Sequence, residues 1–150
     1  MKTIGIIGGL SWFSTTVYYR TINDLTNQKP GGSHSARILL YSIDFNDFNL
    51  LLEKNDWDKI ELMFSGIAQQ LQNAGADCII IATNTAHLVA DIVRQKIKIP
   101  LIHIAEETAK EIAEKKFSKV GLLGTKFTME NAFFKAGCFN SVLKLLFPTV

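Results

Sequence analysis

The sequence predicts an α/β protein, a parallel sheet flanked by helices, on three observations. Short apolar runs of strand length recur along the 150 residues. Between them lie longer stretches whose apolar residues return at helical spacing. The runs at 3–7, 78–82 and 120–124 end in or run into glycines or small polar residues, where an open α/β sheet carries its functional loops. Strands alternating with helices imply right-handed crossovers and a sheet covered on both faces.

The elements follow in order. Residues 3–7 form a short buried strand, and Gly8-Gly9 turn the chain. A helix starts near Ser14, with Tyr18, Ile22 and Leu25 at i, i+4 and i+7 on one face. Pro30, Gly31 and Gly32 mark a loop, and residues 37–43 are the second strand. The stretch 44–57 mixes Asn, Asp and aromatics and reads as a long, partly helical surface connection. Ile60, Met63, Phe64, Ile67, Ala68 and Leu71 make a helical stripe closed by Gly75. Residues 78–82 are the third strand. Leu88, Val89, Ile92 and Val93 mark a helix that ends before Pro100. Residues 101–104 are a fourth strand, Thr108, Ala109, Ile112 and Ala113 line a short helix, and 120–124 are a fifth strand.

Composition narrows the function. Hydrophobic residues make up 47% of the chain, enough for a core, and the net charge of +2 comes from scattered basic residues. That pattern excludes a nucleic-acid footprint and a polybasic membrane patch. No stretch approaches the roughly 20 apolar residues of a membrane span. The apolar start is broken by Gly5, Gly8 and Gly9, unlike a signal peptide. Cys78 and Cys138 have neither metal spacing nor a disulfide framework, so we expect reduced thiols, no metal site and a cytoplasmic location.

Three segments carry candidate chemistry. Gly8-Gly9-Leu10-Ser11 follows the first strand, where backbone amides and a helix N-terminus suit a small anion. There is no G-x-G-x-x-G and no G-x-x-x-x-G-K-[ST], so neither a dinucleotide nor a nucleoside triphosphate is expected. Thr83-Asn84-Thr85 ends the third strand with two hydroxyls and an amide before a helix, a set that suits a carboxylate. Helix capping by Asn84 or Thr85 is the simpler reading of the same residues. His87, one turn on, is placed to orient the cluster, to titrate, or simply to pack. Thr125 after the fifth strand repeats the logic for the second end of a bifunctional ligand.

Taken together, these motifs resemble the aspartate/glutamate racemase family. The resemblance rests on Ile6-Ile7-Gly8-Gly9-Leu10-Ser11-Trp12, Ser14-Thr15, Tyr18-Tyr19-Arg20, Gly31-Gly32-Ser33-His34-Ser35 and Asp44-Phe45. It continues through Thr83 to His87, Ile99 to Ile104 and Gly121 to Met129, and covers about residues 1–135. It implies two pseudo-twofold α/β domains with the site in the cleft between them. It also implies a cofactor-independent reaction in which one group removes the substrate Cα proton and another returns it on the opposite face. Thr83 occupies the place of the first of two cysteines that serve this purpose in typical members. Asn84, Thr85, Thr125, Gly8, Gly9, Leu10 and Ser11 fall at substrate-binding positions, and His87 at an orienting one.

Two departures set further expectations. A threonine hydroxyl is a much weaker acid than a thiol, so its conjugate base is harder to generate. The second cysteine has no counterpart, because Cys138 is followed by Phe139-Asn140 and lies too early. The chain therefore reads as a first domain over 1–100 and the start of a second over 101–150, truncated before that cysteine. Two-base racemisation within one chain is then not expected. The expected substrate is aspartate or glutamate, and a homodimer would complete the short second domain. The alternatives are a non-catalytic binding module for small dicarboxylic amino acids and an inactive fragment with a dimerisation role.

Overall fold

The computed structural model describes residues 1–30, 33–122, 124, 128 and 144–146, in two compact units, Met1–Leu101 and Ile102–Val150. The first unit holds a four-stranded sheet in the order β2-β1-β3-β4. Its strands are β1 (Thr3–Gly8), β2 (Arg37–Ser42), β3 (Cys78–Ile81) and β4 (Leu101–Ile102). β1 is central and runs parallel to both neighbours, pairing Thr3 with Arg37 through Gly8 with Ser42, and Ile4 with Cys78 through Ile7 with Ile81.

Register decides which side chains share a face, because side chains alternate along a strand. Ile7, Ile79 and Ile81 point the same way into the main core. There they meet Ile60, Phe64, Ile67, Ala68 and Leu71 of α3 (Trp57–Asn73). Met63 packs at the edge, so every position of the expected helical stripe faces the core. Phe48 of α2 (Phe45–Glu53) meets Phe64 edge-on, with ring centroids 5.8 Å apart. Such pairs add about 0.5–1.5 kcal/mol beyond their buried area. The other face carries α1 (Trp12–Asn27), whose Thr15 is packed so tightly over Gly8 that a Cβ there would lie 2.7 Å from its hydroxyl.

Several boundaries differ from expectation for local reasons. α1 starts at Trp12, directly behind Ser11, which enters in extended conformation. Leu25, expected to face inward, is 61% exposed; Tyr18 and Ile22 are half-buried, and Thr15 is the buried residue of α1. The connection over 44–57 contains a whole helix. Asp44 caps α2 by accepting the Asn46 amide at 3.0 Å, and Asp56 caps α3 by accepting the Lys59 amide at 3.3 Å. These are ordinary side-chain N-caps, legible in the sequence as Asp before an apolar run. After β3 the chain first makes a 3₁₀ turn, Thr85–Val89, and then α4, Ala90–Lys96.

Leu101, where the expected second domain starts, lies in β4 at the edge of the four-stranded sheet. The Ile79 amide donates to the Pro100 carbonyl at 2.9 Å just before it. β4 is short because His103 caps α5 (Ile104–Glu114), its Nδ1 accepting the Ala105 amide at 3.2 Å. In the second unit, β5 (Lys119–Gly121) pairs in parallel with β6 (Lys144–Leu146), a strand the sequence reading did not foresee. Thr125, Cys138, Gly31 and Gly32 lie outside the described residues. No helix among the described residues is long and apolar enough to cross a membrane.

Candidate active site at the carboxyl ends of β1 and β3

Strands β1, β2 and β3 deliver their carboxyl ends to one edge of the first unit. Gly9 to Ser11 follow β1, Ile43 and Asp44 follow β2, and Ala82 to His87 follow β3. Backbone hydrogen bonds weld these ends together. The Ala82 amide donates to the Ile7 carbonyl and the Ile43 amide to the Gly8 carbonyl, both at 2.9 Å.

Gly9 makes the turn with φ of +86°, a conformation most side chains avoid. A Cβ at this position would fall on the backbone of Ile43, which has no room to give. The Gly9 amide is committed, donating to Thr15 Oγ1 at 3.0 Å in a buried bond. Gly9 thus shapes the loop, and its amide is not an open anion donor. Leu10 is 4% exposed and sits in the core cluster, so only its backbone borders the loop. Ser11 is exposed, and its side chain makes no cap bond to α1.

The β3 end is chemically richer. Thr83, Asn84 and Thr85 are all half-buried. Asn84 sits at the cap position of the 3₁₀ turn but in helical conformation, and makes no side-chain cap bond. The capping reading therefore fails for Asn84. Among the described residues, no side-chain hydrogen bond occupies Thr83, Asn84 or Thr85. Two hydroxyls and an amide are left uncommitted together beside a sheet end, where a polar ligand finds donors already oriented.

His87 is the support beneath them. It is 3% exposed, and its Nδ1 donates to the Thr83 carbonyl at 2.7 Å. A carbonyl only accepts, so this bond fixes the proton on Nδ1. The Ser14 hydroxyl lies 2.7 Å from the Ala82 carbonyl. The peptides on both sides of Thr83 are thereby pinned by side chains from other parts of the unit, one of them 68 residues away in the chain.

Cys78 does not belong to this site. It begins β3, at the opposite end of the strand from Thr83, and burial together with the neighbouring Asp77 carboxylate pushes its thiol up from the ordinary value. Two hollows of the first unit take no lining from Thr83, Asn84 or Thr85. One, of about 410 Å³, runs between α3 and α4 past Ser65, Gly66, Gln69 and Lys96. The other, of about 360 Å³, opens at the carboxyl end of β2 beside Ser42, Ile43, Asp44 and Gln70. Among the described residues no cluster of His, Cys, Asp and Glu could hold a metal ion. The sequence reading missed the roles of Ser14 and Thr15, because a Ser-Thr pair in the first turn of a helix signals nothing by itself about partners.

Comparison with known proteins gives a uniform answer. The model of the Asp/Glu/hydantoin racemase family matches residues 7–148. The broad specificity amino-acid racemase RacX of Bacillus subtilis (strain 168) is 28% identical over 138 residues, 88% of this chain and 58% of that protein. A crystal structure from Yersinia pestis assigned as an Asp/Glu racemase is 42% identical with a TM-score of 0.94, covering 99% of this chain and 65% of that one. An aspartate racemase homologue from Pyrococcus horikoshii OT3 is 34% identical with a TM-score of 0.88, over 99% of this chain and 65% of that one. The chain thus spans less than two thirds of the length of each of these relatives.

Proposed function

Because the chain belongs to the Asp/Glu/hydantoin racemase family, we propose that it moves the Cα proton of a small acidic amino acid at the β1 and β3 ends, without a cofactor. The observation that carries this reading is the uncommitted Thr83-Asn84-Thr85 group, backed by His87 and Ser14. Thr83 Oγ1 is the acid/base group. Asn84 and Thr85 donate to a substrate carboxylate, with Ser11 beside them. The two hydroxyls and the amide offer several donors to such an anion, and charge-assisted bonds of this kind are roughly twice as strong as neutral ones.

A hydroxyl is a reluctant base. A bound carboxylate adds negative charge and makes deprotonation harder still. His87 therefore matters through its bond to the Thr83 carbonyl, which draws electron density from that peptide and fixes the loop. The family resemblance favours this reading over a non-catalytic binding module. We propose aspartate or glutamate as the substrate class, a homodimer as the assembly and the cytoplasm as the location. The exposed Trp12, Phe13 and Val17 at the start of α1 support association of copies.

The test is deuterium incorporation at Cα of L- and D-aspartate and L- and D-glutamate in heavy water. Exchange needs only one acid/base group, so it reads the Thr83 half of the reaction whatever faces it. Incorporation into at least one of the four amino acids is expected. Full retention of the Cα proton in all four over days of incubation, with the protein folded, would overturn the reading.

A further inference from the structure

We propose that Ser14 is a positioning residue for this site, holding the Thr83 peptide in place; the proposal rests on the reading of Thr83 to Thr85 as the reactive cluster. Its Oγ lies 2.7 Å from the Ala82 carbonyl oxygen and 2.9 Å from that of Ser11, and its one proton serves both acceptors. One carbonyl belongs to the loop after β3 and the other to the turn after β1. A single side chain in the first turn of α1 therefore ties the two loops that carry the candidate residues.

The adjacent Thr15 works on the nearer loop alone. Its Oγ1 accepts the Gly9 amide at 3.0 Å, and its own proton points to the Ser11 carbonyl at 3.3 Å. The two neighbouring hydroxyls thus act in different places. Thr15 shapes the β1 turn, and Ser14 reaches across to β3. Ala82 is 1% exposed, so its carbonyl has no water to replace the bond. Its peptide group also contains the Thr83 nitrogen. Removing the Ser14 hydroxyl frees that peptide to tilt, and Thr83 Oγ1 tilts with it. A misplacement of about 1 Å in a reacting group costs about 100-fold in rate.

The experiment uses the full chain, ¹⁵N-labelled, as wild type, Ser14→Ala and Ser14→Thr. The Thr83 amide reports on its own peptide, so its ¹⁵N shift is the direct readout. It is expected to move in Ser14→Ala and to return in Ser14→Thr, which restores a hydroxyl. Cα deuterium exchange is expected to fall about 10- to 100-fold in kcat for Ser14→Ala, with KM within about twofold. A purely structural role would instead lower thermal stability without that split. An unmoved Thr83 amide in Ser14→Ala overturns the proposal. So does unchanged exchange, or equal loss in both variants. If the wild type shows no exchange, the racemase reading fails by itself, and the Thr83 resonance still decides the role of Ser14.

Discussion

Gly9→Ala is expected to cost at least about 3–5 kcal/mol of folding stability, the range reserved for a few severe mechanisms. Two causes add. The backbone at φ of +86° disfavours any side chain, and the new methyl group would be driven onto the Ile43 backbone. Ile43 cannot retreat, because its amide is bonded to the Gly8 carbonyl at 2.9 Å as part of the β1–β2 connection. A domain of this size has only about 5–15 kcal/mol to lose. Gly75→Ala is the internal control. Its φ is +97°, but a methyl there meets nothing within 4 Å, so only the conformational strain of about 1 kcal/mol remains. Urea denaturation of both variants separates the causes. Equal losses would mean that the Gly9 turn does not approach Ile43 as described.

Thr83→Ala is expected to reduce Cα exchange by about 10²- to 10⁴-fold, the usual worth of a positioned acid/base group. Binding of the amino acid should weaken little, since Asn84 and Thr85 remain. Thr83→Cys makes the opposite prediction. A thiol ionises near pH 8.5, far below a hydroxyl, so exchange should exceed wild type and rise with pH through roughly that region. The background from Cys78 is small, because its thiol is pushed up by burial and Asp77. Exchange by Thr83→Ala equal to wild type would remove Thr83 from the chemistry. A Thr83→Cys protein that is folded but slower than wild type would show that the group at 83 does not face the Cα proton.

Much of this was legible in the sequence, and the misses have physical reasons. The α3 stripe was readable because a buried helix face repeats its apolar residues at fixed spacing. The β3 end was readable because hydroxyls and an amide directly after a buried strand fall where open α/β sheets hold ligands. The α1 face was misread at Leu25. This helix touches the sheet through Thr15 and Ser14, and close packing over a glycine needs small residues, which carry no hydrophobic signal. β6 was missed because three residues of strand have no period to detect. Gly8-Gly9 was readable as a turn, but the commitment of the Gly9 amide to Thr15 depends on a bond between side chain and backbone that composition cannot disclose. The same holds for Ser14, whose partner Ala82 is fixed only once β1 and β3 lie side by side, whereas His87 reaches Thr83 within four residues and could be read as orienting it.

Everything proposed for the reaction depends on an acidic amino acid sitting at the carboxyl ends of β1 and β3. Titration of the ¹⁵N-labelled chain with L-aspartate, followed by amide chemical shifts, tests that placement. Saturable shifts are expected at Asn84, Thr85 and Ser11, with Ser65 and Gly66 in the hollow between α3 and α4 unmoved. Shifts confined to Ser65 and Gly66, or no saturable shift at Asn84 and Thr85, would contradict it.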